Sequence, residues 1–399
     1  MRSTRPSFDN REVFSERSHF GTDTNPRAQA VERLRAKGTR LFDLTESNPT
    51  RAGIEYPVQA LISAFAAPAM LRYEPEPFGI PSARAAVCDV YRARGIEVAP
   101  ADVLLSASTS EAYGFAFKLF CDPGDEVLVP RPSYPLLEQL ARLENVALAS
   151  YPLLYDGAWH IDVEALRASR TSRSRAIVLV NPNNPTGSFV KRDELEALAE
   201  LGLPIISDEV FAEYAFRPDP RRALSALEQT DALVLALAGL SKSVGLPQMK
   251  LAWCVLSGPE PRRSECRARL EHIADTFLSA GTPVQLALGD LLEQGSAIRS
   301  AIRGRLSSNR ATLENALKGS AATFLDAEGG WYAVLRLPAV MPEEDWVLSL
   351  LDSENVLVEP GYFYDFFSEP FVVLSLLTEE QTFSEGVERL SAHVAAALR

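Results

Sequence analysis

The sequence predicts an α/β protein built on a large, mostly parallel sheet flanked by helices, with a smaller α+β unit toward its C-terminal end. Two observations carry that expectation. Five apolar, β-rich runs each stop at a polar, Gly/Pro-bearing turn, and a helical pattern follows. Near-continuous apolar strands alternating with helices are what a parallel sheet buried on both faces requires. From about Val284 the pattern changes to one long helical stretch, short strands and a closing helix, an α+β arrangement of its own.

The elements follow in order. The first two dozen residues are polar, rich in Ser, Arg and Asn, and read as an extended arm. "AVERLRAKG", Ala30 to Gly38, has helical periodicity and a glycine stop. "RLFDLTESNPTRAG" is a short strand running into a turn. The repeated unit then appears as "ADVLLSASTSEAYGFAFKLF", "DEVLVPRPSYPLLEQLARL", "RAIVLVNPNNPTGSFVKRDELEALAEL", "LPIISDEVFAEY" and "ALVLALAGLSKSVG". After the long helical stretch come three short strands, "GGWYAVLRLP", "NVLVEPG" and "PFVVLSLL", and a last helix, "SEGVERLSAHVAAAL". No internal repeat or low-complexity segment interrupts this order.

Composition narrows the function classes. With 399 residues, 46% hydrophobic and 23% charged, the chain has an ordinary globular make-up and ample length for a buried core. A net charge of −13 without any long Lys/Arg block argues against nucleic acid as a partner. No apolar run is long enough to span a bilayer, so no membrane partner is expected. "MRSTRPSFDN" has no apolar segment of the secretory kind. The four cysteines, Cys88, Cys121, Cys254 and Cys266, are scattered and read as reduced, mostly buried thiols of a cytoplasmic protein. Four dispersed histidines show no zinc spacing, and no metal site is expected.

Chemistry concentrates where the apolar runs end, which in a parallel sheet is where ligands bind. "SASTSEAY" opens a helix, so Ser108, Thr109 and Ser110 stand where unpaired N–H groups and the helix dipole favour an anion such as a phosphate. A plain helix cap explains the same residues. Asn184 in "NPNNPTG" could hydrogen-bond a ligand or simply shape a turn. Asp208, directly after an apolar strand, is a partly desolvated carboxylate that wants a cation or an N–H donor; it too could be a cap. Ser241 and Lys242 sit at the tip of the run "DALVLALAGL", with glycines on both sides. A phosphate cradle, an amide, a carboxylate and a lysine on one sheet edge match what pyridoxal phosphate needs: N–H donors for its phosphate, an acid for its ring nitrogen, and an amine for its aldehyde.

"NPNNPTG", "SDEVF" and "LSK", in that order, resemble the motifs of fold-type-I pyridoxal-phosphate enzymes of the aspartate aminotransferase superfamily, class I/II. The resemblance runs from "YEPEPFGIPSARAAV" to the C-terminus. It implies a large domain with a mostly parallel mixed sheet flanked by helices, over residues 55–288. A smaller α+β domain would be contributed by 25–54 and 289–399, behind an arm at 1–24. It further implies that Lys242 carries the cofactor as a Schiff base and shuttles a proton, and that Asp208 pairs with the ring nitrogen. Asn184 would bond the ring hydroxyl, Tyr134 would stack on the ring, and Ser108, Thr109, Ser241 and Lys250 would surround the phosphate. Tyr73, in "YEPEPFG", would reach the phosphate of a neighbouring subunit, making the protein a homodimer with shared sites. The activity implied is transfer of an amino group from an amino acid or amine donor to a 2-oxo acid acceptor. A β-lyase or decarboxylase on the same scaffold, or a non-catalytic ligand-binding module, are the alternatives.

The pattern is atypical at four positions. Phe211 stands where the family often has a tyrosine, Lys250 where it has a phosphate-binding arginine, and Gly239 where it often has a serine. Val373 stands just before Leu374-Ser375, where relatives place the arginine that holds the substrate carboxylate. Valine cannot make that bidentate pair. Arg51 in "SNPTRAG" is the first substitute to test, and Trp331-Tyr332 with "GYFYDF" (361–366) suggests an apolar wall. Poor activity on aspartate and other dicarboxylates is therefore expected, with neutral, bulky or carrier-linked amines preferred.

Overall fold

The computed structural model describes residues 14–20, 25–368 and 370–399; most of the arm expected over 1–24 lies outside them. The strands of the large sheet are β2 (Val103–Ser106), β3 (Glu126–Arg131), β4 (Ala147–Tyr155), β5 (Trp159–Ile161), β6 (Ser174–Val180), β7 (Ile205–Asp208), β8 (Val234–Gly239) and β9 (Ala252–Ser257), after a short β1 at Phe42–Asp43.

 All eight strands, β2 to β9, belong to a single sheet, in the order β2-β9-β8-β7-β6-β3-β4-β5.

Six of these strands run the same way, while β9 and β5 are antiparallel to their neighbours. The sheet is therefore mixed and mostly parallel, as the resemblance implied. Period-2 alternation divides each central strand between two cores. Ile177, Leu179, Ile205, Val234 and Ala236 pack on one face. Ala176, Val178, Ile206, Leu235 and Leu237 pack on the other. Each fully buried aliphatic side chain contributes about 1.5–3 kcal/mol of transfer free energy, so both faces must be covered.

Two of the five repeated units depart from strand–turn–helix. No helix follows β7: "EVFAEY" forms consecutive turns. The helix after β8 is only Leu240–Ser243, and the chain then returns as β9, a strand the five-unit pattern did not include. Both departures keep the backbone at the sheet edge, where irregular structure can face a ligand.

The second sheet is antiparallel, in the order β10-β11-β14-β13, with β10 (Thr323–Leu325), β11 (Tyr332–Arg336), β13 (Glu359–Pro360) and β14 (Phe371–Ser375). β12 (Val356–Leu357) pairs in parallel with β1. The long helix Leu288–Ala316 and the closing helix Glu380–Ala397 complete the predicted α+β arrangement. Gly187 joins the two sheets. It has φ +70°, and an added Cβ would lie 2.3 Å from the Gly329 carbonyl oxygen. That oxygen-to-backbone approach only glycine allows, and the Gly187 carbonyl accepts from the N–H groups of Glu328 and Gly329 at 3.1 and 3.0 Å. The start of β11 is thereby fixed beside the "NPNNPTG" turn.

Candidate active site

Strand register brings the chemistry together. Ala252 pairs with Ser106 of β2 on one side and with Gly239 of β8 on the other. Lys250, two residues before Ala252, therefore lies beside the turn that carries Ser108, and Ser241-Lys242 emerge next to both. Farther along the same edge, Asp208 pairs with Leu237 and Val180, so Asn184 leaves its strand next to the aspartate. A cavity of about 290 Å³ at this edge is lined by Ser108, Thr109, Ser110, Tyr134, Asn184, Asp208, Ser241, Lys242, Lys250 and Tyr332, among others.

Asp208 is buried. Tyr113 Oη donates to its Oδ2 at 3.3 Å, and the Val210 N–H donates to its Oδ1 at 3.2 Å. Burial raises its pKa to about 6; the Val210 and Tyr113 donors and the Lys242 charge oppose the rise, and neighbouring Glu209 adds to it. A carboxylate left with so little compensation is matched to a cationic or N–H partner.

Lys242 is half-buried. Its Nζ lies 4.9 Å from the Trp331 ring centroid and 6.0 Å from that of Phe211. Burial lowers its pKa to about 8, against the pull of the Asp208 carboxylate. The lowered value raises the neutral fraction of the amine near neutral pH, in the direction a lysine nucleophile requires. Tyr214 Oη donates to the Lys242 carbonyl at 2.6 Å and Tyr56 Oη to the Gly245 carbonyl at 2.6 Å, which hold the turn in place.

The remaining donors fit pyridoxal phosphate. Asn184 is buried, and its Oδ1 has no hydrogen-bond partner among the described residues. A ligand group at that position would satisfy the amide, whose two side-chain ends are distinguished only by their partners. Ser108 Oγ accepts from the Glu111 N–H at 3.2 Å, so the hydroxyl does act as the helix cap. The N–H groups of Thr109 and Ser110, in the first turn of the helix Thr109–Phe120, have no intrahelical acceptor and suit a phosphate. Lys250, exposed and at φ 50°, adds a cation at that end. Tyr134 supplies a ring to the cavity wall, and burial pushes its hydroxyl up to about 12, so it stays neutral.

Other expected residues lie elsewhere. Tyr73 is 80% exposed and outside this cavity. Arg51 is an exposed side chain paired with Glu46 at 3.3 Å and does not line the cavity. No residue of 361–366 lines it; Phe366 instead stacks on Phe371, with centroids 4.7 Å apart. Trp331 is buried beneath Lys242, while Tyr332 does line the cavity. Val373 is buried in β14. Sequence reasoning missed Tyr113 and Tyr214, whose aromatic spacing reads as ordinary core.

The profile of a family described as aminotransferase class I and II matches residues 39–390. The chain is 27% identical over 371 residues to the glutamate-pyruvate aminotransferase AlaA of Haemophilus influenzae, covering 90% of this chain and 92% of that one. It is 28% identical over 385 residues to the alanine aminotransferase of Mycobacterium tuberculosis, covering 92% and 88%. The solved alanine aminotransferase from Pyrococcus furiosus superposes with a TM-score of 0.83 at 23% identity, over 94% of this chain and all (100%) of that one, a likeness of fold.

Proposed function

The chain belongs to the class I and II aminotransferases and is a pyridoxal-phosphate-dependent enzyme, and from that premise we propose that the cavity at the edge of the large sheet transfers an amino group between a neutral α-amino acid and a 2-oxo acid. The observation that supports this is the meeting of Lys242, Asp208, Asn184 and the Thr109 helix terminus in one cavity. When bound, the cofactor supplies an electron sink that eases loss of a proton from the substrate carbon.

The residues have distinct parts. Lys242 would hold the cofactor through its amine and, once released, move the proton at the substrate α-carbon. Asp208 would keep the ring nitrogen protonated. Asn184 would orient the ring, Tyr134 would cover one of its faces, and Thr109, Ser110, Ser241 and Lys250 would hold the phosphate. Trp331 and Phe211 restrict water around the lysine.

Two features support a homodimer. Val58, Ile62, Leu71 and Tyr73 are large apolar side chains exposed along one short stretch of chain, and Tyr73 would serve the partner's site. No helix among the described residues is long and apolar enough to cross a membrane. The four cysteines are free thiols, three of them buried, which supports a cytoplasmic setting.

An absorbance scan of the holoenzyme during addition of an amino-acid panel tests the reading. Conversion to the pyridoxamine form, reversed by a 2-oxo acid, is expected. Product release without that form would assign a lyase or decarboxylase instead.

A further inference from the structure

We propose that Arg27, on the helix Pro26–Ala36, receives the substrate's carboxylate, and that Glu359 of β13 positions it and discourages a second carboxylate. This deepens the aminotransferase reading and rests on it.

The small sheet shows why a receptor is needed there. Val373 pairs with Val334 on one side and with Glu359 on the other. Directly opposed residues of antiparallel strands share a face, so Val334, Val373 and Glu359 form one row. Tyr332 and Ser375 form the next row of that face, and Tyr332 lines the cavity. The row that carries no cation at Val373 thus carries a carboxylate at Glu359, and a guanidinium comes with it.

Arg27 Nη2 lies 2.8 Å from Glu359 Oε1, and its Nε donates to the Val358 carbonyl at 3.2 Å. The guanidinium also lies 5.6 Å from the Phe363 ring centroid. These contacts fix one edge of the planar fork. Nη1 makes no hydrogen bond among the described residues, which leaves N–H donors for a second carboxylate. Glu359 Oε2 is buried and also has no hydrogen-bond partner among them. Arg27 and Glu359 do not themselves line the cavity of about 290 Å³, but Tyr332, one row along the same sheet face as Glu359, does, so the ion pair stands next to that part of the cavity wall.

Its mixed charge has a consequence for selectivity. One substrate carboxylate can take the free edge of Arg27. A second one would meet the unpartnered Glu359 oxygen at close range, where like charges repel strongly. Neutral side chains are thereby favoured over acidic ones.

The test uses holoenzyme and compares L-alanine with L-alaninamide, which lacks the carboxylate. In Arg27→Ala the alanine-to-alaninamide ratio of kcat/KM should fall roughly 10- to 100-fold, the range for a lost charged hydrogen bond. Arg27→Lys should fall between, lacking the fork. Glu359→Gln should raise aspartate turnover relative to alanine. Equilibrium binding of propionate, followed by calorimetry, should weaken in Arg27→Ala. Unfolding temperature and cofactor absorbance monitor the fold. An unchanged alanine-to-alaninamide ratio with unchanged propionate binding would overturn the proposal. If the wild type forms no pyridoxamine with any donor, the aminotransferase reading fails, while propionate binding still decides the role of Arg27.

Discussion

Tyr113 Oη donates to Asp208 Oδ2 at 3.3 Å, from the same helix whose first turn presents Thr109 and Ser110 to the cavity. Tyr113 lies four residues beyond Thr109, about one turn along the helix. One rigid element thus sets the spacing between the Asp208 carboxylate and the free N–H groups of the Thr109 helix terminus along the cavity. Tyr113→Phe removes a donor that lowers the Asp208 pKa, so that pKa should rise above about 6. A hydrogen bond to a charged group is worth about 1.5 kcal/mol at its weaker end, or about one pH unit. The acid limb of cofactor binding, followed by absorbance, should move up by up to about that much. An unmoved limb would show that Tyr113 only packs.

Asp208 also makes the cofactor-free protein sensitive to pH. Its folded pKa, about 6, is above the ordinary 3.8. The folded state therefore binds the proton more tightly. The associated stability is fully present below pH 3.8 and is lost as pH rises through 6. The difference is on the order of 3 kcal/mol, from about two pKa units. Asp208→Asn should remove it, so the variant's advantage in urea unfolding of the apoprotein should grow between pH 4 and pH 7. Cofactor turnover should fall, since an amide cannot stabilise a protonated ring. An advantage independent of pH would contradict the assignment.

Lys242 should label as a lysine of depressed pKa. Burial brings it from 10.5 to about 8. Incorporation of cofactor by borohydride reduction, mapped by peptide analysis, should reach half its maximum near pH 8 and fall on Lys242. Lys242→Ala should keep some cofactor through the phosphate and ring contacts but lose turnover. Label on Lys250 would sink the assignment.

How far the sequence could be read depended on whether a feature was local. Apolar runs such as "RAIVLV" and "ALVLALAG" are buried on both faces, so their pattern announces the parallel strands without tertiary information. Asp208 and Lys242 were legible because each directly ends such a run. β9 was not, because "AWCVLS" follows β8 after a short irregular return, and only its pairing with both β2 and β8 defines its place. Arg27 is silent for the same reason. In "NPRAQAVERL" it is one more helical arginine, and its meaning comes from Glu359, more than three hundred residues away. Arg51 showed the converse: a suggestive position in the sequence, yet an exposed side chain paired with Glu46.

Gly239 tests how tightly the lysine-bearing turn is packed. An added Cβ would lie 2.8 Å from the Ala252 Cβ and 2.9 Å from its Cα. The serine found in many relatives therefore cannot enter without moving β9. Gly239→Ser should lower the unfolding temperature and weaken cofactor binding, with overpacking costing about 1–3 kcal/mol. Ala252→Gly in the same chain removes one of the clashing atoms and should restore part of the loss. If Gly239→Ser alone is neutral, the approach of β8 and β9 is looser than these distances indicate.

Tyr73 leads to the last prediction. It is 80% exposed, and nearby Leu71 is exposed as well. Burying such side chains against a second copy would recover apolar area that a lone chain leaves in water. Tyr73 lies outside its own chain's cavity, so a role at the phosphate must be exerted on a partner. In a two-fold dimer each protomer would lend Tyr73 to the other. Mixing Tyr73→Ala with Lys242→Ala protomers should then create hybrids with one site that has both residues intact. With random exchange, about half the dimers are hybrids and each holds one working site of two, so activity should recover to about a quarter of wild type. Light scattering should report a dimer throughout. A fully active monomer would rule the shared site out, as would a mixture no more active than its two components.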